Sequence, residues 1–157
     1  MRGLATVLAA AALLGATAAP VPAQAQARGE GFREVGAAAA VLYDGPSERA
    51  QKRFIVVRGT PLEIVATLGN WIKVRDYAGD VLWIAQADLT SARNVVVSRA
   101  LASVRKTPGA VGELLFQAER GVLLERIDDA SVPAGWLRVR HRDGTAGFVA
   151  VDEVWGY

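Results

Sequence analysis

The chain has 157 residues, 52% of them apolar and 22% charged, which suits a folded protein of one ordinary domain or two very small ones. It has no cysteine and one histidine, excluding thiol nucleophiles, disulfide scaffolds, thiolate zinc sites and any metal site that needs two imidazoles. Net charge is +2, and residues 39–90 carry six residues of each sign while 98–157 carry eight, so neither half has the basic excess that gripping nucleic-acid phosphates requires.

The first segment reads as an export signal. Met1-Arg2 supplies a positive start, Leu4 to Ala19 is uncharged and Ala-rich, and Pro20-Val21-Pro22 breaks any helix. Ala23-Gln24-Ala25 and Ala25-Gln26-Ala27 both have the small-x-small form of a cleavage site, so residues 1–27 are expected to be removed after position 25 or 27. No cysteine follows to carry a lipid, and no second apolar stretch is long enough to span a bilayer. The expected location is the periplasm or the exterior, with no membrane insertion after cleavage. Residues 28–36, which include Gly29-Glu30-Gly31, read as a flexible N-terminal segment.

The rest is a doublet. Aligning Pro46 with Pro108 also aligns Gly59 with Gly121, and the second copy is then three residues longer before its tryptophan. From there Trp71-Ile72-Lys73-Val74-Arg75 faces Trp136-Leu137-Arg138-Val139-Arg140, Gly79 faces Gly144, and Trp83-Ile84 faces Phe148-Val149. The extra residues fall in Asp128–Gly135, whose Asp-Asp, Pro133 and Gly135 belong in a turn. The boundaries drawn from this are 37–90 for one copy, 91–97 for a connection and 98–157 for the other. Asn94-Val95-Val96-Val97 is too β-branched for a free linker, so the copies are expected to dock with this segment paired to or packed between them.

Each copy reads as strands. Phe54–Val57 and Pro61–Ala66 are short β-rich runs, with Leu68-Gly69-Asn70 as a turn. Trp71–Arg75 alternates with period two, placing Ile72 and Val74 on one face and Trp71, Lys73 and Arg75 on the other. Leu137 and Val139 oppose Trp136, Arg138 and Arg140 likewise, and Asp143-Gly144 signals a hairpin. Gly112–Phe116 could be helix or strand and is read as strand after its partner around Phe54. The fold class is all-β, a small barrel per copy. Trp83 and Phe148 are assigned to the cores, and Trp155 to the C-terminal turn. Trp71 and Trp136 have two roles open, offering a ligand surface or sealing a barrel end.

No catalytic constellation emerges. His141 reads as an exposed hairpin residue with no serine partner, and Asp128-Asp129 and Asp152-Glu153 are adjacent carboxylates that point apart or into solvent. The expectation is no enzyme, no metal and no cofactor. The alternation Arg138-Val-Arg140-His-Arg142 is a basic strand face, open to an anionic partner or simply solvated.

The ordered set Ala102-Ser103-Val104-Arg105-Lys106-Thr107-Pro108-Gly109, Gly121, Gly135-Trp136-Leu137-Arg138-Val139 and Asp143–Val149 resembles the bacterial SH3 domain. Asp44-Gly45-Pro46-Ser47, Gly59 and Asn70–Val74 carry the same resemblance in the first copy, and Glu153–Tyr157 is similar to the end of one exported subgroup. Leu82 departs from the family's usual Gly before the aromatic, and neither copy opens with Asn-Val-Arg. The resemblance implies two tandem SH3-like β-barrels after a signal peptide. It further implies a non-catalytic envelope module whose partner is a cell-wall peptide or an envelope protein. An assembly scaffold of the periplasm with no discrete ligand site is the alternative. In such barrels the groove lies near the long loop after the first strand, so Tyr43 and Arg105 join Trp71, Trp136 and Arg138 as the candidate ligand-binding residues.

Overall fold

The computed structural model describes residues 31–157. The segment read as an export signal, residues 1–27, and residues 28–30 lie outside the described residues. Strands β1 (Phe32–Val35), β2 (Ala39–Tyr43), β3 (Lys52–Val57), β4 (Pro61–Leu68), β5 (Trp71–Arg75), β6 (Val81–Ala85) and β7 (Leu89–Ser91) form one sheet in the order β3-β2-β6-β5-β4-β1-β7. Strands β8 (Asn94–Val97), β9 (Leu101–Arg105), β10 (Leu114–Glu119), β11 (Leu123–Ile127), β12 (Trp136–Arg140), β13 (Ala146–Ala150) and β14 (Val154–Trp155) form the second, in the order β10-β9-β13-β12-β11-β8-β14. The orders are the same with every strand seven places on. Short 3-10 turns at Gln86–Asp88 and Val151–Glu153 precede β7 and β14. The chain is two tandem SH3-like all-β domains.

Period-two alternation builds each core. Ala40 and Leu42, Ile72 and Val74, and Leu82 and Ile84 point inward in the first barrel around Val35 and Leu62. Ala102, Val104, Val139 and Val149 do so in the second, around Leu124, Val95 and Val97. Gly147 holds an inward position because a Cβ there would lie 2.6 Å from the Arg105 carbonyl oxygen. Leu137, read as inward, is only half-buried against its core. Gly112 and Glu113 precede β10 in a turn, so the strand there begins two residues later than read.

Two segments depart from the sequence reading. Residues 32–35, assigned to the flexible segment, are β1, an interior strand bonded to β4 and β7 with Val35 fully buried. Residues 94–97, assigned to the connection, are β8, the equivalent strand of the second barrel, bonded to β11 and β14. Val95 and Val97 enter the second core. Val96, on the opposite face, is 1% exposed and lies in register with Trp155.

The barrels are docked through this strand. Glu34 of β1 sends one carboxylate oxygen, Oε2, across the junction to accept hydrogen bonds from the Arg93 N–H (2.8 Å), the Asn94 N–H (3.0 Å) and Asn94 Nδ2 (2.9 Å). Three donors on one oxygen satisfy backbone groups that would otherwise be desolvated without a partner. Trp155 meets Phe32 edge-to-face at 4.8 Å, so it packs across the junction rather than only within its own turn. The Arg120 guanidinium lies 5.6 Å from the Tyr77 ring centre. Gly156, at φ +104°, touches Pro61 so closely that a Cβ would sit 2.6 Å from Pro61 Cβ. Both its backbone and its contact require glycine.

Candidate functional site

The side chains that point away from the first core gather on one outer face. On β5 these are Trp71, Lys73 and Arg75, on β6 Val81, Trp83 and Ala85, and on β2 Val41 and Tyr43. Register sets Tyr43 beside Trp83, Trp83 beside Lys73, and Trp71 beside Ala85. Strands β2 and β5 are separated by β6, a span of about 9–10 Å at ordinary strand spacing. Trp71 nevertheless reaches Tyr43, with ring centres 5.4 Å apart at 89°. It can do so because Ala85, between them, has no bulk. The Lys73 ammonium lies 5.7 Å from the Trp83 ring centre and, among the described residues, forms no ion pair. Tyr43, Trp71, Trp83 and Lys73 thus form an aromatic surface with one cation, at the root of the 44–51 loop.

Trp83 corrects the sequence reading, which placed it in the core. Leu82 and Ile84 are the buried residues of β6, and the half-buried indole stands outside between them. The same correction applies to Phe148, which lies outside between buried Gly147 and Val149. Strand alternation alone identifies both, and bulk misleads.

The second barrel presents the equivalent face with different chemistry. Arg105 stands where Tyr43 does, Phe148 where Trp83 does, Arg138 where Lys73 does and Trp136 where Trp71 does. Register pairs Phe148 with Arg105 and with Arg138, and Trp136 with Ala150. Here the cations are already engaged. Arg105 Nη1 donates to the Gly112 carbonyl oxygen at 2.8 Å, bridging the base of the 106–113 loop. Arg138 Nη1 donates to Asp129 Oδ2 at 2.9 Å. Hydrogen bonds from the Ser131 hydroxyl and N–H, then from Arg138, hold the Asp129 carboxyl below its ordinary range. Trp136 and Arg138 border a shallow cleft of about 370 Å³ with Asp129 and Tyr157. The candidates therefore fall into two groups, Tyr43 with Trp71 on one barrel and Arg105, Trp136 and Arg138 on the other.

His141 is less exposed than its hairpin position suggests. Its Nδ1 lies 3.0 Å from Asp143 Oδ2, and its ring centre 5.5 Å from that of Phe116. The Asp143 carboxyl is lowered to about 2, first by the Thr145 N–H and then by His141. Both groups serve the β12–β13 turn. Among the described residues no three His, Asp or Glu side chains converge as a metal site, and no helix is long and apolar enough to cross a membrane.

The profile of the bacterial SH3 domain matches residues 36–90 and again 98–156, and the chain belongs to this family, with two tandem copies. The bacterial SH3 domain is a binding domain, and peptidoglycan is the partner class associated with it. Comparison with curated proteins finds no match. Among solved structures, the chain is similar to NlpC2 from Trichomonas vaginalis (12% identity, 79% of this chain and 47% of that one, TM-score 0.35). It is also similar to NlpC1 from the same organism (14%, 84% and 48%, TM-score 0.36). An NlpC/P60 family protein from Bacillus cereus ATCC 10987 is a third (14%, 80% and 56%, TM-score 0.37). The chain spans about half the length of each of these proteins.

Proposed function

We propose that this protein is an exported, non-catalytic module of the bacterial envelope that binds cell-wall peptide, or an envelope protein, mainly through the outer face of its first barrel. The observation that carries the reading is the grouping of Tyr43, Trp71 and Trp83 around Lys73, which has no ion-pair partner among the described residues, on the solvent side of a barrel whose core is complete without them. Three large aromatics left half-exposed on so small a domain form a ready contact surface. Planar rings stack on peptide or sugar faces, and the ammonium pairs with a wall-peptide carboxylate. On the second barrel, Arg105 and Arg138 must first leave Gly112 and Asp129, so Trp136 and its neighbours form the weaker site. Bivalency then adds to retention on an extended wall.

Titration of the full chain with solubilised wall fragments, followed by tryptophan fluorescence, tests this. Lys73→Gln is expected to weaken binding by about tenfold, the equivalent of about 1.4 kcal/mol, and to flatten its dependence on salt. An unchanged salt dependence would remove the cation from the site. Full retention in Lys73→Gln and Trp83→Ala alike would favour the scaffold reading.

A further inference from the structure

The junction between the barrels holds a second concavity, separate from the aromatic face. It is a cleft of about 640 Å³ lined by Val122 and Leu123 of the second barrel and by Glu34 of the first. Three arginines, Arg93, Arg140 and Arg142, line it together with His141 and two acids, Glu34 and Glu125. The carboxylates are only partly available to them. Glu34 commits Oε2 to the Arg93 and Asn94 N–H groups and to Asn94 Nδ2, and Glu125 is held by Arg140 at 3.3 Å. Among the described residues, Arg93 and Arg142 have no acidic partner. Like charges gathered around one cleft repel one another, and an anion in their midst relieves that repulsion.

Glu34 adds an acceptor. All three of its donors reach the same oxygen, so Oε1 takes no hydrogen bond from the described residues, and Glu34 is one of the residues that line the cleft. The carboxylate cannot swing away without releasing the barrel junction. An acceptor oxygen and free guanidinium groups around one cleft match a ligand that carries both an amine and carboxylates. We infer that the inter-barrel cleft is a binding site for a short acidic peptide with a free amine, its carboxylates taken by Arg93 and Arg142 and its amine by Glu34 Oε1. The site needs both barrels, which gives their docking a role that neither barrel has alone.

The dipeptide Gly-Glu, with one amine and two carboxylates, is the probe, titrated into the full chain by calorimetry or by NMR shifts. Binding with a dissociation constant of about 1 mM or tighter is expected, as befits a small ligand with few contacts. Amidating both carboxylates should weaken it at least tenfold, and N-acetylation at least threefold. Arg142→Ala and Arg93→Ala, both exposed side chains whose loss leaves the fold intact, should each weaken it about tenfold. NMR shift changes should centre on Val122 and Leu123 rather than on Trp71 and Trp83, which separates this cleft from the aromatic face. No binding at about 10 mM, equal binding of either blocked peptide, or indifference to both arginine substitutions overturns the assignment.

Discussion

A fragment that starts at Ser98 is expected to show no cooperative unfolding transition, although it contains the whole of the second family match. Such a fragment lacks β8, which lies between β11 and β14 and bonds to both. It also loses Val95, Val96 and Val97, each no more than 1% exposed. Burying a valine contributes about 1.5–3 kcal/mol, so three of them account for about 4.5–9 kcal/mol. A domain of this size has only about 3–9 kcal/mol in total. Starting instead at Ala92 restores the strand, and that longer fragment should regain a sigmoidal urea transition. Cooperative unfolding of the Ser98 fragment would mean that β8 is dispensable.

Glu34→Ala has the next largest effect. It removes the one acceptor that the described residues give to the Arg93 and Asn94 N–H groups and to Asn94 Nδ2, at a site where Glu34 is 8% exposed. Each buried donor left without a partner costs about 1–3 kcal/mol, and partial access of water limits the sum to about 3–5 kcal/mol. The barrels should then unfold separately, a single urea transition becoming two. Adding Asn94→Ala to Glu34→Ala should cost little more than Glu34→Ala alone, because the two side chains act through one contact. Additive losses, or a change below about 1 kcal/mol in Glu34→Ala, would show that the junction is held elsewhere.

Glu34 also explains why part of the fold was hidden in the sequence. Strand β1 has a carboxylate where its counterpart β8 has Val96, so Phe32-Arg33-Glu34-Val35 shows no apolar run, and only the 62-residue offset that relates Pro46 to Pro108 reveals it as a strand. The doublet, the strands at 54–57 and 71–75 and the Asp143-Gly144 turn were legible because each has a local signal in alternation or turn chemistry. The outward set was half legible. Trp71 and Lys73 follow from period two, whereas Trp83 and Phe148 were assigned inward by bulk, against an alternation that places Leu82, Ile84 and Val149 inside. That Tyr43 meets Trp71 depends on β6 lying between their strands and on the small Ala85, and neither is written in any one segment. The internal partners of Arg105 and Arg138 depend on where the 106–113 and 128–135 loops fold back, which spacing alone does not encode.

Co-sedimentation of the full chain with purified sacculi is the most direct test that the first barrel's outer face does the binding. Wild-type protein should be retained. A double substitution, Tyr43→Ala with Trp83→Ala, should lower its affinity at least tenfold while the urea transition stays cooperative, since both rings lie outside the core. Trp136→Ala should lower it about twofold or less. Undiminished retention of the double variant, or no retention of the wild-type protein, would contradict the assignment.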